Sequence, residues 1–268
     1  MDNATAPFGR LLRHWRQQRR WSQLALATEA EVSARHLSWL ETGKAEPSRA
    51  MVLRLADRLD VPLRDRNALL AAAGFAPLYS ALALSDPALA SARGALQRLL
   101  DAHEPWPALA VDRHWSLVAN NRMVPLLLAT VSPDLLQPPV NVLRVSLHPR
   151  GLGPMVRNLR AWRDHVLQRL DRQHATTGDA ALKRLRDELA ALPVPAESAT
   201  EALAADPPDV AVPLTLHGPW GTLNFITTIT VFGAPHDVTL AELAVETLLP
   251  ADAATAAALR ALHAAVPD

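Results

Sequence analysis

Apolar residues along positions 7–76 recur at helical spacing, and Ser, Gly and Pro interrupt them every ten to fifteen residues, a pattern that predicts a string of short helices. Pro7 opens the first, with Leu11, Leu12 and Trp15 on one side and Arg10, Arg13, Arg16, Arg19 and Arg20 elsewhere. Ser22 is placed to cap a second helix over 23–30 and Ser33 a third reaching about Thr42, which Gly43 ends as a left-handed terminal glycine does. Pro47 and Ser48 start a fourth helix bearing Met51, Leu55 and Leu59; Pro62 precedes a fifth, with Leu69 and Leu70, that stops at Gly74.

Residues 78–93 turn to Ala, Leu, Ser and Pro with few charges, which suits a docked connector. Alternation then takes over. Leu109 and Val111, then Trp115, Leu117 and Ala119, flank Asp112 to His114 and predict a β-hairpin over 107–120. Helical spacing returns over 122–130, briefly over 141–147, and in one long helix over 154–174 with Met155, Leu159, Trp162, Val166 and Leu170 on a single stripe. Asp179 caps a further helix to Leu192, and 193–209 reads as loop. Val210, Val212, Leu214 and Leu216 form one strand; after a turn at 218–221, Leu223, Phe225, Ile229 and Val231 line one face of the next. Positions 239–249 fit both periods, since Thr239 with Glu242 resembles a capping box. Asp252 caps a terminal Ala-rich helix.

The 268 residues are 49% apolar, enough to bury more than one core, and 27 basic residues balance 27 acidic ones. The distribution is uneven. Up to Leu78 there are twelve basic against eight acidic residues, a formal +4, and the remainder holds fifteen against nineteen, a formal −4. A basic helical segment fits a polyanionic partner. With no cysteine, disulfides, thiolate metal sites and Cys nucleophiles drop out together. Positions 1–10 hold no apolar signal core and no 18-residue apolar run exists, so the expectation is a cytoplasmic protein with no membrane contact.

Ser22, Gln23, Leu24, Ala27, Val32, Ser33, Leu37, Leu40, Glu41, Thr42, Gly43 and Lys44 describe two helices joined by a tight turn, with apolar residues where such a pair must pack. This resembles the helix-turn-helix of the Xre family of transcription regulators, and the five-helix segment covers that whole domain. The resemblance implies that the second helix of the motif enters the major groove and that Ala34, Arg35, Ser38 and Trp39 face the bases, Arg35 pairing bidentately with guanine. It implies phosphate contacts from Gln23, Ser33, Lys44 and Arg49. Where the family often has Gly in the turn, this chain has Glu31, which requires a left-handed non-glycine residue there.

The second half resembles the ligand-binding domain of MmyB-like regulators, which is PAS-like and follows an Xre-type domain. The likeness is carried by Ala119, Asn120 and Asn121, by NVLRVSLHP at 141–149, the Trp162 helix, HGPWG at 217–221 and ADAATAAAL at 251–259, and by the run 47–77 before them. It tips 239–249 toward strand. The expected fold is thus multidomain, all-α plus α+β: a helix-turn-helix domain at 1–78, a connector at 79–95, and at 96–268 a PAS-like antiparallel sheet with helices. The resemblance implies a DNA-binding regulator, dimeric on a palindromic operator of double-stranded DNA, that holds a small apolar effector of fatty-acid type. The ligand contacts expected are Met123, Leu127, Leu143, Leu147, Met155, Leu159, Trp162, Phe225 and Ile229, with His148, Arg157 and Arg144 most able to meet a carboxylate head.

Ten histidines show no His-x-His or H-E-x-x-H spacing, so no metal and no other cofactor is expected, and no G-x-S-x-G, Walker-A or G-x-G-x-x-G string appears. Gly151 and Gly153 could cradle an anion, although Pro154 removes one amide. A small-molecule-binding protein or adaptor that uses the helical domain for protein contacts, or an enzyme of unrecognised type, remain the alternatives, and the want of an acid–base or nucleophile constellation speaks against the enzyme.

Overall fold

The computed structural model describes residues 7–194, 212–233 and 235–265. The chain forms two compact units: one reaches to Leu82 and takes in Ala175–Gly178 and residues 235–241, and the other holds the remaining described residues.

In the first unit, five helices run α1 (Pro7–Gln18), α2 (Gln23–Glu29), α3 (Ala34–Thr42), α4 (Arg49–Arg58) and α5 (Leu63–Ala72). Three serines cap in the expected way: the hydroxyls of Ser22, Ser33 and Ser48 accept from the amides of Ala25, His36 and Met51 at 3.0–3.2 Å. Gly43 ends α3 at φ 74°. Phe8, Leu12, Trp15, Leu26, Leu37, Leu40, Val52, Leu55, Leu59, Leu69 and Leu70 form the core. Gly9 is what lets α1 approach α3, since a Cβ there would lie 2.5 Å from the Glu41 carbonyl oxygen. Of the five arginines near α1, Arg16 is not on the solvent face. It is buried, and its Nε and Nη2 donate to the two oxygens of buried Glu41 at 2.6 and 3.0 Å, while Nη1 donates to the Trp21 carbonyl at 2.7 Å. Glu31 takes up the left-handed conformation, φ 55°, in the turn between α2 and α3.

The stretch after α5 is docked. Asn67 Oδ1 accepts from the amides of Leu78 and Tyr79, and Asp237 Oδ2 accepts from the Ser80 hydroxyl at 2.7 Å. Asp237 also organises its own segment: its Oδ1 accepts from the amides of Thr239 and Leu240 and starts the one-turn helix Val238–Ala241, so no Thr239–Glu242 capping box is needed.

In the second unit, helix α6 (Ala90–Asp101) begins inside what the sequence presents as connector, with Leu89, Leu96 and Leu100 buried along one face. The sheet is five-stranded and wholly antiparallel, in the order β2-β1-β5-β4-β3: β1 (Ala108–Val111), β2 (Leu117–Asn120), β3 (Leu214–Gly218), β4 (Gly221–Val231) and β5 (Ala244–Pro250). Helices α7 (Met123–Leu128), α8 (Val142–Leu147), α9 (Leu159–Thr177) and α10 (Ala180–Ala190) lie between the hairpin and β3, and Ala253–Ala264 closes the described chain, capped by Asp252. The ambiguous 239–249 segment divides, a helical turn first and β5 after it.

Two elements differ from their pattern. The long helix expected from Pro154 begins only at Leu159. Gly153–Met155 is a 3-10 turn, Val156 bridges to Leu216, and the Asn158 side chain is tied to β3 by donating to the Pro213 carbonyl and accepting from the Thr215 amide. On β4, Leu223 and Phe225 are fully buried, but Ile229 and Val231 are 44% and 63% exposed. The reason is pairing: β3 runs beside β4 only as far as Phe225, and beyond it β5 is the one described strand paired with β4, so the β3 side of Ile229 and Val231 has no described strand. Val210 and residues 195–209 of the expected loop lie outside the described residues.

Candidate nucleic-acid interface and candidate ligand cavity

In the helical unit, α3 has two faces. Leu37, Leu40 and Glu41 are buried, whereas Ala34, Arg35 and Trp39 are exposed and Ser38 is half-buried, so the four expected base-facing residues share the side away from the core. The Arg35 guanidinium lies over the Trp39 ring, 4.5 Å from its centroid. That contact restrains the arginine while leaving its N–H edge free to form a planar fork.

The expected phosphate contacts are spread over three helix starts and one turn. Ser33 uses an oxygen lone pair to cap α3 and retains its hydroxyl proton as a donor. Lys44 is exposed just beyond Gly43, and Arg49 is exposed as the first residue of α4. Gln23 is different. Its Nε2 donates to Glu41 Oε2 at 2.8 Å, which joins it to the buried Arg16–Glu41 pair that spans α1 and α3. Sequence spacing points to the loop-side polar residues but not to that pair, because Arg16 looks like one more surface arginine and Glu41 like an ordinary helix-end acid.

The sheet unit contains an apolar cavity of about 80 Å³. Leu109, Leu117, Leu214, Leu216 and Leu248 line it from the strands, with Val124, Leu127, Leu143, Val145 and Trp162 from the helices. Of the twelve residues expected to meet the ligand or its head, Leu127, Leu143 and Trp162 border this space. Met123, Leu147 and Phe225 are buried in the surrounding core, and Leu159 packs half-buried against it. Met155 is half-buried and its sulfur accepts from the Thr130 hydroxyl; His148 Nδ1 accepts from the Arg150 amide; Arg157 is exposed, as is Ile229. Arg144 is engaged elsewhere, donating to both oxygens of Glu188 at 2.6 and 2.9 Å, which raises its own pKa and lowers that of Glu188. Gly151 and Gly153 are buried where a Cβ would strike the carbonyls of Val145, Leu147 and His148, so they serve close backbone packing and leave no cradle for an anion.

The polar residues of the cavity wall are Ser146, Thr227 and Glu246. Glu246 is buried on β5, and its Oε1 accepts from Arg169 Nη1 at 3.1 Å. Arg169 in turn lies over the Trp115 ring and donates through Nη2 to His165 Nε2 at 2.8 Å. Burial, and then the charges of Arg169 and Arg172, lower the His165 pKa, so its imidazole stays neutral and can accept that bond. His165 stacks on Trp162, at 5.4 Å between centroids. The signal that could have exposed this cluster is a lone Glu inside the apolar run AVETLLP, where a sheet-buried charge must find a partner.

Among the described residues no group of His, Asp or Glu is arranged to hold a metal ion, and no helix is long and apolar enough to cross a membrane. Residues 7–69 match a helix-turn-helix domain family, and residues 92–262 match the family described as the MmyB-like transcription regulator ligand binding domain. A comparison with curated proteins gives no match.

Proposed function

The chain belongs to the MmyB-like transcription regulators, and on that premise we propose that it binds a palindromic operator as a homodimer and changes its operator affinity when an apolar effector occupies the sheet cavity. Residues 1–78 are the reading head in this proposal, 79–95 the connector and 96–268 a sensor that is PAS-like in its 2-1-5-4-3 strand order. The observation that carries the DNA half is the division of α3, with Ala34, Arg35, Ser38 and Trp39 outward and the core residues inward. The outward face reads bases; Ser33, Lys44, Arg49 and the N-terminal end of α2 at Gln23 hold phosphates. This is the work of a regulator and not of an enzyme.

The effector has a chain of fatty-acid type. At about 80 Å³ the cavity is smaller than the roughly 150 Å³ apolar cavity known to admit a benzene ring, so a short chain segment fits it as it stands and a long one requires the walls to move apart. Operator affinity responds only to the difference in effector binding between the DNA-competent and incompetent states.

Gel shift of the full chain with DNA selected from a random pool, at two salt concentrations, tests the reading. Affinity should fall steeply as salt rises because phosphate contacts release counterions, and footprints should show two half-sites about one helical turn, or a multiple of it, apart. Absent or salt-indifferent binding, or protection of one asymmetric half-site, would overturn it.

A further inference from the structure

The sheet covers its edges except along one stretch. β3 is covered on its outer side, where Val156 bridges to Leu216 and the Arg157 amide donates to the Thr215 carbonyl at 2.9 Å. β2 is covered where the Leu117 amide donates to the Val140 carbonyl at 2.7 Å and Ser116 bridges to Asn141. Beyond Phe225, β4 has β5 on one side and no described strand on the other. Which of its groups are left over follows from the ladder. The Ala251 amide donates to the Asn224 carbonyl at 2.8 Å, so Asn224 faces the β5 side, and alternation turns Phe225, Thr227, Ile229 and Val231 the other way. Phe225 meets Leu214 of β3, whereas the amides and carbonyls of Thr227, Ile229 and Val231 meet no described strand. The residues just before β3 leave this edge at once: the Pro213 carbonyl is held by the Asn158 side chain, and Val212 forms no pair with Thr227.

Residues 226–231 (ITTITV) are all β-branched, and none is charged or proline. Charges and prolines are what blunt an edge strand, and an edge without them is a template for another strand. Antiparallel pairing about a two-fold axis at Ile229 gives every left-over group a partner: Ile229 lies opposite Ile229 of the second copy and Thr227 opposite its Val231, each such pair exchanging both N–H···O=C bonds. The same register covers the two apolar side chains that stand out of the sheet, Ile229 against Ile229 and Val231 against the Thr227 methyl, and it sets no like charges opposite one another. Resting on the homodimer reading above, we propose that the β4 edge over 226–231 is the surface through which two copies of this chain pair, joining their two sheets into one.

The chain has no cysteine, so a single introduced thiol reports on this pairing alone. At a hydrogen-bonded antiparallel pair the two Cα atoms lie about 5.5 Å apart, inside the disulfide range of about 4.4–6.8 Å. Under mild oxidation, full-length Ile229→Cys should therefore form a covalent dimer at least about tenfold faster than Val231→Cys. Val231 is the more exposed of the two, 63% against 44%, but its counterpart in the second copy lies roughly 14 Å along the strand. Val231→Pro deletes an amide that faces the open edge and leaves the bonds to β5 in place, so with its circular dichroism unchanged its dimer should be weaker by about tenfold or more, read by light scattering across protein concentrations with and without the DNA selected above. A dimeric parent whose two Cys variants link at the same rate, or whose Val231→Pro variant dimerises as tightly, would overturn the edge assignment and leave the homodimer standing. Another strand on this edge, from the same chain or from a different protein, would show as Ile229→Cys that fails to link and would overturn it equally. A parent that is monomeric at every concentration, with DNA and without, removes the homodimer reading and this inference with it.

Discussion

Replacing Glu41, a buried acid on the inward side of α3, by alanine should loosen the whole reading head. Glu41 is 3% exposed and receives three hydrogen bonds: two from Arg16, at 2.6 and 3.0 Å, and one from Gln23 at 2.8 Å. The variant leaves the Arg16 guanidinium buried between α1 and α3 with the Trp21 carbonyl as its remaining partner among these contacts. Removing one member of a buried pair costs about 3–5 kcal/mol, mostly because the survivor is an uncompensated buried charge. A small domain has about 5–15 kcal/mol in all, so α3 would lose a large part of the stability that fixes its outward face. Amide hydrogen exchange followed on peptides from α1 and α3 reads this locally, and rates governed by opening should rise by roughly two to nearly four orders of magnitude. The double change Arg16→Met with Glu41→Leu removes both charges and should recover most of the loss. Exchange in Glu41→Ala that rises less than about tenfold, or a double variant as loose as the single one, would refute the reasoning.

In operator titrations Arg35→Ala should cost about 1–3 kcal/mol at one base pair and relax preference there, whereas Lys44→Ala should weaken all sequences alike and reduce the salt slope by about one; identical behaviour of the two would mean that the α3 register is misassigned. Glu31 holds φ 55° in the turn before α3, so Glu31→Gly should relieve about 1–2 kcal/mol of left-handed strain, offset by about 0.5–1 kcal/mol of added chain entropy in the unfolded state, and raise the melting temperature slightly; a lower one would contradict this. Asp179 has its pKa lowered: burial pushes it up, but hydrogen bonds from His114 and the Ala181 amide and the charge of Arg113 outweigh burial. Its contribution is therefore present above the unfolded value near about pH 4 and is lost as pH falls through the lower folded value, so the stability difference between the parent and Asp179→Asn should be constant at neutral pH and collapse in acid, as measured by unfolding across that range.

The helical unit was legible because its determinants are local. Ser22, Ser33 and Ser48 cap from one turn away, Gly43 stops α3 through its own φ, and the 3.6-residue period marks which side of each helix is core. The outward set on α3, which the family resemblance supplied, lies on the side that this period leaves away from the core. The hairpin at 108–120 was legible for the same reason, with period two in place of 3.6.

What the tertiary structure decided is whatever depends on which distant residue lies opposite. The pairing of Arg16 with Glu41, 25 positions apart, turns a surface-looking arginine into a buried one. Asn158, bonded to β3, delays the start of α9, and β3 begins only opposite Phe225, which leaves Ile229 outside although it shares the period of Leu223. Apolar stripes say which residues avoid water but not whether they meet neighbours or a void, so Leu127, Leu143 and Trp162 reach the cavity while Met123 and Phe225 vanish into core. The partnerless Trp162 N–H and the Glu246–Arg169 contact belong to this second kind, because a hydrogen bond made or missed is a property of what surrounds an atom, and that is settled only when the chain has closed around it.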